Sequence, residues 1–168
     1  MPPRRLLLVR HAKAGDAPVD ADRPLTKRGI RQAAEMGGWL EQAGLTPDRV
    51  LVSPALRARQ TWERASVALD AGGEPNADQR IYDNTVEALL EVIRETADDV
   101  RSLAVVGHNP SIGELTAVLD DGEGSADARR DIEAGFPTAG VAMFELATPF
   151  DAIAPGTATL TDFTVPGH

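Results

Sequence analysis

Three short apolar runs, each stopping abruptly at small or polar residues, constrain this chain more than any other feature. Leu6-Leu7-Leu8-Val9 ends at Arg10-His11-Ala12, Val50-Leu51-Val52 at Ser53-Pro54, and Leu103-Ala104-Val105-Val106 at Gly107-His108-Asn109. Short, continuous apolar runs read as strands buried on both faces, the mark of a parallel sheet. Open α/β sheets place ligands just past the carboxyl ends of such strands. If the three strands are parallel neighbours, their ends bring two imidazoles, His11 and His108, to one sheet edge. They also bring two guanidinium groups, Arg10 and, one turn into the helix after Ser53, Arg57. The plain alternative for any single run is that its polar end merely faces water.

Helical periodicities separate the strands. Thr26 is placed to cap a helix carrying Ile30, Ala33, Ala34, Gly37 and Leu40, stopped by Gly44. Pro54 suits the first position of a helix with Ala58, Trp62, Ala65 and Leu69 on one face, and Pro110 that of one with Ile112, Leu115 and Leu119 inward. Val86, Leu89, Leu90 and Ile93 form another amphipathic face. Arg80-Ile81-Tyr82 is expected as a brief third strand. Gly15 to Pro24, Ala71 to Asn76 and the charged Asp120 to Gly135 are expected as loops. Val141 to Leu146 and Thr157 to Val165 alternate like antiparallel or edge strands. Strand–helix alternation of this kind builds an α/β fold, a mostly parallel sheet with helices on both faces. A chain of 168 residues is expected to form one domain, spanning 1–168.

The net charge of -9 argues against a nucleic-acid binder or a binder of anionic membranes, since phosphate backbones demand a basic face. It leaves room for a small basic pocket. The absence of cysteine excludes disulfides, thiol catalysis and thiolate metal sites. No apolar run approaches the ~20 residues needed to span a bilayer. The apolar core of Pro2 to Val9 is too short for a secretory signal, so a cytoplasmic protein is expected.

Two imidazoles and two guanidinium groups in one place repel each other unless a polyanion fills the space, and phosphate is the obvious candidate. A histidine among phosphate-binding groups can attack phosphorus through an unprotonated ring nitrogen, provided the other nitrogen donates elsewhere. The arginines would position and stabilise the equatorial oxygens. No metal and no cofactor is required. The chain has three histidines, the remaining one being the terminal His168.

Arg10-His11-Ala12, the run Ser53-Pro54-Ala55-Leu56-Arg57-Ala58-Arg59-Gln60-Thr61, and Val106-Gly107-His108-Asn109 together resemble the histidine phosphatase superfamily, the phosphoglycerate-mutase-like group. Arg23-Pro24-Leu25-Thr26 and the short length resemble its SixA-type phosphohistidine phosphatase branch. The resemblance runs from about Leu6 through Thr116. It implies a three-layer α/β/α sandwich whose central sheet is mostly parallel with one antiparallel strand. It also implies a phosphatase with His11 as nucleophile and Arg10, Arg57 and His108 binding the phosphoryl group. Ala12 stands where the family commonly has glycine. Arg59 points away from Arg57 along the helix and is read as structural or surface.

Many relatives carry a proton-donating carboxylate after the third strand, and Asp83 is the nearest candidate. It reads equally as a turn residue before the helix that starts at Thr85. Asp16, Asp20 and Asp22 in the first loop are other carboxylates near the site, expected to be solvated, and Thr138 would border the pocket. The expected substrate is a phosphorylated protein or a small phosphoester, with inorganic phosphate as product. No long insertion separates Ile81 from Leu103 to form a lid, which favours protein phosphohistidine over an enclosed metabolite. The other readings are a small-molecule phosphomonoesterase and a non-catalytic phosphate-binding module.

Overall fold

Successive residues of the first apolar run face opposite cores. Leu6 and Leu8 pack with Leu89, Ile93, Ile112 and Leu115, whereas Leu7 and Val9 pack with Ala33, Met36, Ala58 and Trp62. That alternation is the period of a strand buried on both sides. The computed structural model describes residues 2–70 and 74–167. Its strands are β1 (Arg4–Arg10), β2 (Arg49–Val52), β3 (Asn76–Ala77), β4 (Ser102–Gly107), β5 (Val141–Leu146) and β6 (Ala158–Thr164). They form one sheet in the order β3-β2-β4-β1-β5-β6. β1 to β4 are parallel, and β5 is antiparallel to both β1 and β6, so β5 alone opposes the others. The result is the expected three-layer sandwich with one antiparallel strand.

Helices α1 (Lys27–Gln42) and α2 (Leu56–Ser66) cover one face. On the other lie α3 (Gln79–Asp83), α4 (Val86–Arg94), α5 (Ser111–Leu119) and α6 (Ala126–Ala134). Thr26 caps α1 by accepting from Gly29 N, and Gly44 follows the helix at φ +68, both as the sequence implies. The buried face of α1 is rotated slightly from the one expected, with Gln32 and Met36 buried and Ala34 exposed.

Two expectations are corrected. Arg80-Ile81-Tyr82 is not a strand; it lies in α3, and the third strand is Asn76–Ala77. Asp78 accepts from Arg80 N and so starts a helix, which turns Ile81 into the core while Arg80 pairs with Asp78, Glu91 and Glu95. The stretch Asp120 to Gly135 is not all loop, because Ser125 caps α6 through Ala128 N. Only Ala128 of that helix is buried, so its apolar stripe is too narrow to register as a period. Boundaries moved a little elsewhere: α2 begins at Leu56 rather than Pro54, and Pro110 directly precedes α5. Of the loop expected from Ala71 to Asn76, Ala71 to Gly73 lie outside the described residues and Asn76 belongs to β3. His168 is also outside them. Among the described residues no helix is long and apolar enough to cross a membrane.

Candidate active site

The ladder of β1, β2 and β4 ends level. Arg10 pairs with Gly107 and Val52 with Val106, and the ladder continues one step through His11 N to Gly107 O and Ser53 N to Val106 O, each at 3.0 Å. His11, Ser53 and His108 are therefore delivered to one edge by backbone pairing. α2 is tied to that edge by one hydroxyl: Ala12 N donates to Thr61 Oγ1 at 2.9 Å, and Thr61 Oγ1 donates to Arg57 O at 2.7 Å. A cavity of about 470 Å³ opens there, lined in part by Arg10, His11, Asp20, Arg57, Tyr82 and His108.

His11 is buried, and its Nδ1 lies 2.7 Å from the Ala12 carbonyl oxygen. A carbonyl only accepts, so Nδ1 carries the proton and Nε2 keeps its lone pair. Burial first, and then the guanidinium charges of Arg57, Arg10 and Arg23, lower the imidazole pKa to about 4 against the opposing Ala12 hydrogen bond. His108 stands against it, ring centroids 5.2 Å apart, with Nε2 2.8 Å from Ser53 Oγ. Burial and the positive charge around it bring His108 to about 3. Both rings are thus neutral at neutral pH, the state that nucleophilic attack through nitrogen needs.

These shifts carry an expected result. Both histidines should titrate far below the ordinary imidazole value, His11 near 4 and His108 near 3, when followed by their ring-proton NMR signals. The folded pKa is the lower one, so between about pH 6.5 and pH 4 the unfolded chain binds protons that the native chain does not. Stability to urea should therefore fall as pH drops through that window. Midpoints near 6.5 for both rings would contradict the burial argument.

The arginines are only partly engaged. Arg10 Nη1 donates to Phe136 O at 2.9 Å. Arg57 donates from Nη1 to Asp20 O at 2.8 Å and from Nη2 to Asp20 Oδ2 at 3.0 Å. Arg10 Nε, Arg57 Nε and His108 Nδ1 are buried and have no hydrogen-bond partner. Orphaned buried nitrogens are costly and uncommon, and these three belong to residues around one cavity. The cavity itself is lined by the cationic side chains of Arg10, Lys13, Arg23 and Arg57, which suit an anion with several oxygens.

Sequence reasoning placed Arg10, His11, Arg57 and His108, and the structure brings them together; Thr138 borders the same cavity. It does not bring Asp83 there. Asp83 ends α3, exposed, with a 3.4 Å hydrogen bond from Gln79 Nε2. The chain turns at Asn84, whose φ is 66, and it is Asn84 that reaches the cavity, bridging Asn109 O and Ser111 N. Arg59 is turned away, donating to Pro54 O. The carboxylate lining the cavity is Asp20, from a short 3-10 turn at Asp20–Asp22. Its Oδ2 accepts from Tyr82 Oη at 2.6 Å and from Arg57, and its Oδ1 accepts from Arg23 Nη1 at 3.2 Å. Tyr82 and then Arg57 hold this carboxyl well below the usual carboxylate range. The sequence signal for Asp20 is thin: three aspartates lie within seven residues of one loop and nothing local separates them. Among the described residues no group of three or more His, Asp or Glu side chains is placed to hold a metal ion.

The chain is similar to known proteins. Residues 6–83 match the family model of the histidine phosphatase superfamily (branch 1). The phosphohistidine phosphatase SixA of Escherichia coli K12 is 35% identical over 127 residues, covering 71% of this chain and 76% of SixA. An uncharacterized protein of Mycobacterium tuberculosis H37Rv is 40% identical over 162 residues, covering 94% of this chain and 99% of its own. A solved structure of the protein histidine phosphatase SixA complexed with tungstate superposes with a TM-score of 0.78 at 28% identity, covering 96% of this chain and 97% of that one.

Proposed function

The chain belongs to the histidine phosphatase superfamily, a family of phosphatases acting on phosphorylated substrates, and on that premise we propose that it removes phosphoryl groups from protein phosphohistidine through a covalent intermediate on His11. The observation that carries this reading is a cavity lined by the cationic side chains of Arg10, Lys13, Arg23 and Arg57 around an imidazole whose Nε2 is free to attack. The phosphoryl oxygens find their counter-charges in those side chains. Nε2 of His11 attacks phosphorus, the bond from phosphorus to the substrate nitrogen breaks, and the substrate ring leaves with the electron pair. Water then cleaves the bond from phosphorus to Nε2 and releases inorganic phosphate. The guanidinium groups supply the positive charge that a metal ion otherwise would, so the reaction runs without metal.

Similarity to SixA, a phosphohistidine phosphatase by name, supports this substrate over a small phosphoester. The cavity gives physical support: its carboxylate, Asp20, is held ionised and is a poor proton donor, whereas a phosphohistidine ring leaves without one. Mixing the protein with radiolabelled histidine-phosphorylated protein and quenching in alkali should trap label on this chain at His11, lost on mild acid treatment. Turnover with no label on the chain, or label stable to acid, would rule the intermediate out. Phosphate binding without release from any phosphorylated substrate would instead support a binding module.

A further inference from the structure

The cavity holds a carboxylate that phosphate binding does not explain. A negative group beside an anion site weakens it, and Asp20 does so twice. It repels the phosphoryl group, and its Oδ2 occupies Arg57 Nη2, a donor that phosphoryl oxygens would otherwise take. The contact is not incidental, because Asp20 is fixed by side chains from three separate parts of the chain: Tyr82 at the end of α3, Arg57 on α2 and Arg23 beyond the 3-10 turn. Asp20 is also the acidic residue among those lining the cavity; the rest are basic or neutral.

We propose that Asp20 determines specificity, selecting substrates whose leaving group bears an N–H cation, the ring of phosphohistidine, over phosphate monoesters. The inference rests on the phosphohistidine reading above and names the residue that enforces it. In phosphohistidine with its second ring nitrogen protonated, the ring is cationic, and an ionised carboxylate at the cavity favours it by charge and by accepting its N–H. When His11 Nε2 attacks, the bond from phosphorus to the substrate ring breaks and that ring leaves neutral, keeping its N–H. The positive charge passes to the His11 ring, whose Nδ1 keeps its proton and donates it in a hydrogen bond to the Ala12 carbonyl oxygen. No proton has to be transferred. A phosphate monoester instead leaves as an alkoxide or phenoxide, which needs a proton that ionised Asp20 does not hold and whose growing negative charge Asp20 opposes.

The test compares two substrates on two proteins: kcat/KM for a histidine-phosphorylated peptide and for p-nitrophenyl phosphate, with wild type and Asp20→Asn. Asparagine keeps the shape and an acceptor for Tyr82 while removing the charge. The ratio of the two values, peptide over ester, should fall about tenfold or more, the worth of one hydrogen bond to a charged group. A ratio that stays level or rises overturns the proposal, including the case in which both activities fall together. A second measurement uses the unaltered protein and so stands even if the variant fails to fold. Across a series of aryl phosphates, kcat/KM should drop at least roughly tenfold from p-nitrophenyl to phenyl phosphate, because no acid assists departure. A flat series overturns the proposal. Label trapped on His11 together with an unmoved ratio would defeat the role of Asp20 alone; absence of label would defeat the covalent reading itself.

Discussion

Replacement of His11 by alanine is expected to abolish turnover, by roughly a thousandfold or more, while leaving the fold in place. No other side chain in the cavity offers an equivalent attacking atom. His108 is the other imidazole, but its Nε2 is engaged with Ser53 Oγ, and its charge balance is set by the same arginines. The structural loss is small: one hydrogen bond to the Ala12 carbonyl and one ring, on strand-end backbone that the His11 N to Gly107 O bond still holds. Removing an imidazole held near 4 also removes its share of acid sensitivity, so the variant should lose less stability than wild type between about pH 6.5 and pH 4. Phosphate release and urea unfolding midpoints at two pH values check both halves. Turnover close to that of wild type would refute His11 as nucleophile.

Gly37→Ala is expected to destabilise the protein, against the sign that helix propensity implies. In an isolated helix alanine is favoured over glycine by about 1 kcal/mol. Here α1 crosses α2 so closely that a Cβ at Gly37 would lie 2.0 Å from Ala65 O and 2.8 Å from Ala65 C. Those are backbone atoms, which cannot swing aside as a side chain would, so one helix has to move. Overpacking of this sort costs about 1–3 kcal/mol, which outweighs the propensity gain. One of the two helices carries Arg57, so activity should fall along with stability where that helix gives way. Chemical denaturation alongside kcat/KM measures both; a variant more stable than wild type would show that the two helices part without cost.

The chemistry was legible where it was tied to short-range pattern. Arg10, His11 and His108 stand at the ends of unmistakable apolar runs, and Arg57 follows one turn into a helix, so period and position sufficed. Asp20 was legible only as one of three loop carboxylates near the site, because what singles it out is its meeting with Tyr82 and Arg57, which are 62 and 37 residues away in the chain. Asp83 drew attention instead because it follows an apparent strand, but that segment is a helix, and the left-handed turn at Asn84 presents the next side chain to the cavity. Three residues are too few to tell a strand's period from a helix's, and the Asp78 cap that starts α3 lies outside them. Ser125 caps α6, but the single buried residue of that helix leaves no stripe to see.

The level ending of β1, β2 and β4 has an evolutionary consequence. His11, Ser53 and His108 sit on a backbone ladder in which a one-residue slip turns every side chain to the opposite core, so this part of the site resists gradual change. Asp20 stands in the connection between β1 and α1, outside that ladder, held by side-chain contacts and not by strand pairing. Attack on phosphorus and choice of what departs from it are thus carried by segments with different freedom to vary. New substrate preferences can be sampled in the loop while the machinery of transfer is held constant by the sheet.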